Sequence, residues 1–397
     1  MKIKKILKRL AIIIGALLFI GVVYVYFVWL AKPASVNTFA EINDREWRTV
    51  NLGNECMCSD GSEYFLFVRK GNSSNLLIHF SGGGACWDDF TCTNPNTIYK
   101  ALTQGNSKDL KTFYYPVVYD FFSKFLKGVF DNTKESNPFR DWNIVYIPYC
   151  TGDLHIGNKT MNYKTEDGDE MEVHHNGQTN VTAALDWIYA NFGKPEKILV
   201  SGESAGGFAS AYWAPFVANH YSDHDKIYQL SDGSQLTSKR WPVIIDSVWN
   251  SNSQSFFHFK IEDDAYTDVI LNRLDSANTR IKHLNSNTLY DVILPRFYAA
   301  LNYRSTDQND YIYNWSDDMR NSIQKLISSN IDYQYFLTEC QYDSVNVSTP
   351  HTLMAFSDST LYYCKTEGIS YADWLRRNVI EDDSISVGSS LLNLPEE

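Results

Sequence analysis

The sequence predicts an α/β fold in which a mostly parallel sheet is flanked by helices. Two observations support this prediction: short β-rich segments alternate with longer amphipathic segments, and several short segments are continuous apolar runs such as IVYI, ILV and VII. Continuous apolar runs are typical of strands that are buried on both faces of a parallel sheet. Alternation of strands and helices is typical of a sheet covered by helices.

The predicted elements follow one another along most of the chain. Strands are predicted at 63–68, 76–80, 143–147, 197–201, 242–247 and 333–337. Helices are predicted at 179–192, 205–219, 264–276 and 317–329, and residues 251–257 are predicted to be a loop. A chain of 397 residues, 44% of them hydrophobic, is long enough to bury such a core within one domain.

The N-terminal residues predict a membrane anchor. Residues 1–9 are basic and are predicted to be a cytoplasmic tail, and 10–31 form an uncharged apolar run. Roughly 20 apolar residues suffice to span a bilayer as one transmembrane helix. A stalk at 32–45 and a folded domain at 46–397 complete the predicted organisation. The alternative is a cleaved signal peptide, which would leave the domain secreted. Both interpretations place the domain outside the cytoplasm.

Charge and cysteine content agree with an exported protein. The net charge of −12 disfavours nucleic acid as a partner, because an acidic surface repels phosphates. An exported chain is expected to pair most of its seven cysteines and to leave one unpaired. Cys86 with Cys92 and Cys340 with Cys364 are the predicted pairs. A zinc site is disfavoured, because Cys56-Met57-Cys58 lacks the usual two-residue spacer and a second pair.

The strongest functional signal is the sequence KILVSGESAGGFASAYW. Gly202-Glu203-Ser204-Ala205-Gly206 matches G-x-S-x-G, the nucleophile elbow of the α/β-hydrolase fold. The pattern alone is weak, but here it follows a predicted strand and precedes a predicted helix, as an elbow requires. Ser204 is therefore the predicted nucleophile, and a structural serine in a glycine-rich turn is the alternative.

A second signal is the glycine run in LLIHFSGGGACW. It follows a predicted strand, as does the oxyanion loop of many esterases. Acyl transfer places negative charge on a carbonyl oxygen, which backbone N–H groups must approach to about 3 Å. The predicted donors are the N–H groups of Gly83, Gly84 and Ala205.

A serine nucleophile needs a histidine base and an acid that orients it. In this fold the chain order is serine, acid, histidine. His351, in VSTPHTLMAF, follows the last predicted strand and is the predicted base. Asp307, in LNYRSTDQNDYIY, and Asp246, at the end of a predicted strand, both satisfy the order for the acid, and position alone leaves the choice open.

Several motifs together resemble the pectin acetylesterase and Notum family of carboxylesterases, in particular its bacterial-type members. The resemblance runs through most of the predicted exported domain and is carried by DGSEYFLFVRKG, FSGGGACWDDFTC, YIPYCTGDLHIGN, SGESAGG, YRSTDQ, PHTLM and YADWL. It implies that Ser204 is the nucleophile and His351 the base. Because the family's acid is an Asp followed closely by Gln, the resemblance favours Asp307 over Asp246.

The resemblance also implies a substrate class and further pocket residues. It implies a serine carboxylesterase that hydrolyses an ester on a carbohydrate, such as an O-acetyl group, without metal or cofactor. A Notum-type protein O-deacylase and a non-catalytic glycan- or protein-binding domain are the alternatives. Trp87, Asp153 and His155 are candidate pocket residues, although a structural role for His155 is at least as plausible.

Overall fold

The computed structural model describes residues 2–25, 30–97, 113–273, 280–302 and 310–394. The strands are β1 Arg48–Asn51, β2 Phe65–Arg69, β3 Leu76–Phe80, β4 Asn143–Ile147, β5 Lys159–Lys164, β6 Glu170–His175, β7 Ile198–Glu203, β8 Ile227–Asp232, β9 Ile281–Thr288, β10 Tyr333–Thr338, β11 Lys365–Thr366 and β12 Ile369–Ser370. The helices are α1 Lys2–Tyr24, α2 Asp89–Cys92, α3 Gly177–Asn191, α4 Ala205–His220, α5 Trp241–Val243, α6 Thr267–Leu271, α7 Leu294–Asn302, α8 Asp310–Ile327, α9 Asp358–Tyr363, α10 Tyr371–Leu375 and α11 Ser389–Leu392.

The central sheet confirms the predicted α/β-hydrolase architecture. Its strand order is β1-β2-β4-β3-β7-β8-β9-β10. Strands β1 and β2 pair antiparallel, and β2 pairs antiparallel with β4, whereas the pairs from β4 to β10 are parallel. Strands β3, β4 and β7 are buried along their whole length, because helices and loops cover both faces of the sheet.

The order of the strands determines where a functional site can form. Strand β7 lies between β3 and β8, so the ends of these three strands are neighbours. Helix α4 follows β7 directly and packs on β7 and β8, with nearly all of its residues buried. In open parallel sheets, loops at the carboxyl ends of the strands commonly form the ligand site.

The N-terminal segment was predicted to hold a membrane anchor and a stalk. Helix α1 covers Lys2–Tyr24. The prediction of a membrane-spanning helix at 10–31 finds no support, since no helix in the described parts of the chain combines the length and the apolar character that crossing a bilayer requires. The segment at 32–45, predicted as a stalk, packs on the domain: Ile42 is fully buried, and Phe39 donates its N–H to Asn191 Oδ1 at 2.8 Å.

The predicted strand at 242–247 is wrong. Residues Trp241–Val243 are helical and continue into a π-helical turn at Ile244–Val248. Pro242 occupies the first turn of this helix, where its missing N–H removes no hydrogen bond. A short buried apolar run such as VII does not by itself distinguish a strand from a buried helix.

The disulfides agree with the cysteine prediction and add one pair. Cys86 pairs with Cys92 and Cys340 with Cys364, as predicted. The additional disulfide joins Cys58 to Cys150 across 92 residues of sequence. Cys56 is free and buried.

Candidate active site

The nucleophile elbow is a strained turn between β7 and α4. Ser204 has φ 54° and ψ −125°, a conformation that side chains adopt only where the surrounding structure enforces it. The neighbouring glycines are required by space, because a Cβ on Gly206 would lie 1.9 Å from the Phe80 carbonyl oxygen in β3. The N-terminal end of α4 is thereby brought against the end of β3, where the glycine run begins.

The glycine run lies directly on the nucleophile. A Cβ on Gly82 would lie 2.7 Å from the Glu203 carbonyl oxygen and 2.9 Å from the Ser204 Cβ. Among the described residues, the N–H groups of Gly83, Gly84 and Ala205 have no hydrogen-bond partner. The predicted oxyanion donors are therefore free to bind a ligand atom.

His351 forms a pair with an aspartate that the sequence did not predict, on a loop that the Asp232 carboxylate holds through the N–H groups of Leu353 and Met354. The His351 Nδ1 lies 2.7 Å and 2.9 Å from the two carboxylate oxygens of Asp291. An ionised carboxylate only accepts hydrogen bonds, so Nδ1 carries the proton and Nε2 keeps its lone pair. Nε2 is buried, and neither it nor the Ser204 hydroxyl has a hydrogen-bond partner among the described residues.

The charges around His351 favour its protonated form. Burial by itself lowers the pKa of His351, but the charge and hydrogen bond of Asp291 outweigh it. The charges of Asp232 and Glu203 act in the same direction, so the pKa of His351 lies above its ordinary value.

The two aspartates considered from the sequence have different outcomes. Asp307 lies outside the described residues. Asp246 lies in the π-helical turn and binds the amide and hydroxyl of Ser253 at 2.8 and 2.7 Å. The available signal for Asp291 was its place three residues after β9, at the carboxyl end of a parallel strand. That strand was not predicted, because its sequence IKHLNSNT is mostly polar.

Asp291 is held rigidly in place. Its Oδ1 also accepts the N–H groups of Ile293 and Leu294, at 2.7 and 2.9 Å, and so caps the start of α7. The base loop is anchored as well, because Thr288 at the end of β9 donates its hydroxyl to the Pro350 carbonyl oxygen at 2.7 Å. Asp291 and the loop of His351 are therefore attached to the same strand end.

A small apolar cavity opens beside Ser204. Its volume is about 20 Å³, whereas one buried water needs ~10–15 Å³ on the same measure. It is lined by Gly84, Ala85, Trp87, Leu154, Ser204, Ala205, Phe208, Leu236, Trp241, Leu294 and Phe297. Trp87, a candidate pocket residue, thus lies in the cavity wall.

Asp153 and His155 lie behind the cavity wall. Asp153 is fully buried and accepts hydrogen bonds from Thr151 Oγ1 and the N–H of Gly177, at 2.6 and 2.8 Å. The His155 Nε2 lies 2.9 Å from the Ser81 carbonyl oxygen, just before the glycine run. Burial lowers the pKa of His155 to about 3, so this imidazole is neutral. The residue of this segment that lines the cavity is Leu154.

One cluster has the composition of a metal site but is already bonded otherwise. Cys86, Cys92 and His175 place their donor atoms within 4.8 Å of one another. The two sulfurs form a disulfide, and the His175 nitrogens contact Thr151 O and Tyr163 Oη at 3.0 and 2.8 Å. These donors are therefore committed to structural contacts.

Comparisons with known proteins assign the chain to a family. The pectinacetylesterase family model matches residues 49–385. Pectin acetylesterase 4 of Arabidopsis thaliana is 26% identical over 206 residues, 51% of this chain and 45% of that protein. The palmitoleoyl-protein carboxylesterase Notum of Schmidtea mediterranea is 29% identical over 191 residues, 45% of this chain and 32% of that protein. The matched region thus spans less than half of either relative.

A solved structure shares the fold. The structure of the Wnt deacylase Notum from Drosophila superposes with a TM-score of 0.57 at 16% sequence identity, covering 86% of this chain and 95% of that one. At this identity the likeness establishes the fold alone. Since the family model extends over most of the chain, the protein belongs to the pectinacetylesterase family.

Proposed function

We propose that the protein is a serine carboxylesterase that removes a short acyl group, acetyl above all, from a carbohydrate ester. The observation that carries the proposal is the buried His351 Nε2, whose lone pair is free because Asp291 holds the proton on Nδ1. Such an imidazole, on a loop that Asp232 joins to the amide of the elbow serine, is equipped to accept a hydroxyl proton.

The proposed reaction has two steps. The Ser204 Oγ attacks the ester carbonyl carbon while its proton passes to His351 Nε2, and the N–H groups of Gly83, Gly84 and Ala205 stabilise the oxyanion. The ester C–O bond then breaks, and the imidazolium gives its proton to the departing alcohol. A water molecule hydrolyses the acyl-enzyme by the same proton route. Asp291 takes the orienting role first expected for Asp307, because it binds Nδ1 with both oxygens.

The size of the cavity favours a short acyl group. About 20 Å³ is room for a group of roughly the size of one water molecule, such as an acetyl methyl group. Its walls include the bulky side chains of Trp87, Trp241 and Phe297, which are almost completely buried. A Notum-type activity on a long acyl chain would require these side chains to move apart.

The disulfides support a location outside the cytoplasm. The cross-links at Cys58–Cys150, Cys86–Cys92 and Cys340–Cys364 persist in oxidising compartments and are rare in reducing ones. This location suits an enzyme that acts on an extracellular carbohydrate or on an acylated protein.

The proposal is tested with p-nitrophenyl esters from acetate to palmitate. We expect turnover to be highest with acetate and to fall as the chain lengthens, and Ser204→Ala to lower kcat by roughly 10⁴–10⁶-fold. A fluorophosphonate probe should label the native protein and not Ser204→Ala. A native protein that takes up no probe and hydrolyses no ester would be a binding module instead, and a preference for palmitate would indicate a Notum-type deacylase.

A further inference from the structure

The mechanism above leaves one buried acidic side chain next to the nucleophile without a role. Glu203 immediately precedes Ser204 and is 3% exposed. A buried carboxylate at this place opposes the negative charge that develops on an oxyanion, and its desolvation is unfavourable unless it is paired. Its contacts therefore indicate what it contributes.

The two oxygens of Glu203 have different partners. Oε1 accepts the N–H of Gly82, the first residue of the glycine run, at 3.0 Å. Oε2 is in direct contact with His79 Nε2. His79 belongs to β3, so the carboxylate connects the strand, the elbow and the glycine run.

His79 itself is immobilised by its neighbours. The imidazole is completely buried, and its Nδ1 lies 2.9 Å from Ser201 Oγ. Its ring stacks on Tyr146 at 5.2 Å between centroids and meets Phe130 edge-on at 4.8 Å. The carboxylate therefore cannot change its orientation without disturbing packed aromatic rings.

The bond to Gly82 fixes the first peptide group of the glycine run, while farther along the run the Gly83 carbonyl oxygen accepts the Tyr115 N–H at 3.2 Å. Since Gly82 donates to Glu203, its amide is not available to a substrate, whereas the amides of Gly83 and Gly84 have no partner among the described residues. Glycines have few steric limits on rotation, and Gly84 has φ +80°, so such a run needs contacts at both ends to keep its donors aligned, and Glu203 supplies the contact from the elbow.

We propose that Glu203, held by His79, is a positioning residue that orients the glycine run so that the Gly83 and Gly84 N–H groups face the oxyanion. This role rests on the proposed esterase function and deepens it. The residue before the nucleophile thereby fixes the oxyanion donors relative to Ser204 itself.

Two variants separate positioning from charge. Glu203→Ala removes the acceptor for Gly82, and we expect kcat to fall about 10²–10³-fold, the usual loss for an oxyanion donor, with little change in KM. Glu203→Gln keeps an oxygen for Gly82 and presents its NH₂ group to His79 Nε2, so kcat should be largely retained. Because the Glu203 charge helps to raise the pKa of His351 alongside Asp291 and Asp232, the acidic limb of kcat/KM in Glu203→Gln should shift to lower pH.

His283→Gln is the matched control. His283 is a buried histidine in β9 that contacts Gln229 Oε1 at 3.0 Å and none of the residues of the proposed site. Its kcat should remain native. If Glu203→Ala fails to fold, Glu203→Asp replaces it, since the shorter side chain keeps the charge but does not reach Gly82, and kcat should fall equally.

The outcomes distinguish this inference from the proposed function. A loss of kcat in Glu203→Ala or Glu203→Asp no greater than in His283→Gln would overturn the positioning role, and so would a folded Glu203→Gln as impaired as Glu203→Ala. Either result leaves the esterase intact if Ser204→Ala is inactive. Activity that survives in Ser204→Ala would instead overturn the proposed function.

Discussion

The carbonyl oxygen of Asp232 accepts the amide N–H of Ser204 at 2.8 Å. The carboxylate of the same residue accepts the N–H groups of Leu353 and Met354 at 2.7 and 2.8 Å, directly after the base His351. Asp232 ends β8, next to the strand that carries the elbow. One residue thus links the proposed nucleophile to the loop of the proposed base.

Removing the Asp232 side chain is expected to loosen the base loop. Asp232→Ala leaves two buried N–H groups unpaired, which should lower the free energy of unfolding by about 2–5 kcal/mol and reduce kcat at least tenfold. Asp232→Asn can still accept both bonds and should keep most of the activity. Urea unfolding and steady-state rates measure the two effects, and a native kcat in a folded Asp232→Ala would contradict the link.

Asp232 should also make stability depend on pH. Burial raises its pKa to about 6, so the folded state favours the neutral acid. The stabilisation that this raised pKa gives is roughly 3 kcal/mol of unfolding free energy. It is present in full below the ordinary pKa of about 3.9 and is lost as pH rises through about 6. Asp232→Asn should flatten the fall in unfolding free energy between pH 4 and 6. The fall should not disappear, because the pKa of Asp153 is also raised to about 6.

The pH profile of the reaction should reflect the pair of His351 and Asp291. Only neutral His351 accepts a proton, so kcat/KM should rise with pH through its pKa, and the midpoint should lie above about 6.5 because that pKa is raised. Asp291→Asn removes the charge that raises the pKa of His351. It also removes the carboxylate that keeps the imidazole proton on Nδ1. We expect kcat to drop roughly 10⁴-fold and the acidic limb to move to lower pH. Rates on p-nitrophenyl acetate from pH 4.5 to 8.5 test this, and an Asp291→Asn variant with native kcat would return Asp307 to consideration.

The parts of the site that have local signatures could be predicted from the sequence. The elbow at Ser204 needs a strand, a tight turn and a helix in succession. All three have a recognisable pattern within about twenty residues of sequence. Strands β3 and β4 occur at the predicted residues, because most of the residues in both segments are apolar.

The proposed acid, Asp291, has no such local signature in the sequence. Strand β9 is fully buried, yet it contains Lys282, His283 and several other polar residues whose burial depends on partners from distant parts of the chain. Lys282, for example, donates to the Asp383 carbonyl oxygen at 2.7 Å. Apolar periodicity cannot detect a strand of this kind, and without the strand the position of Asp291 at its end could not be recognised.

The disulfides should contribute unequally to stability. In the chain-entropy model the stabilisation grows with the length of the closed loop. Cys58–Cys150 spans 92 residues and Cys86–Cys92 only 6. Replacing both members of the first pair by Ser should therefore cost about 4–5 kcal/mol, and replacing the second pair about 2 kcal/mol. Urea unfolding of the two double variants gives the comparison, and equal losses would show that local strain or packing dominates over loop length.

The acyl preference should depend on Phe297. Its ring is 6% exposed, lines the cavity and lies 6.4 Å from Trp87 and 5.6 Å from Phe113, between ring centroids. Phe297→Ala should open space beyond the acetyl methyl group and raise the rate on butyrate relative to acetate by tenfold or more, since each accommodated methylene is worth about 1–3 kcal/mol.

Phe257→Ala controls for the general effect of a core deletion. Phe257 is fully buried against Trp213 and does not line the cavity. Both variants should lose about 3–5 kcal/mol of stability, because each removes a buried ring, but only Phe297→Ala should change the ratio of butyrate to acetate turnover. A ratio that changes equally in both variants would mean that loosened packing, and not the cavity wall at Phe297, limits the acyl chain.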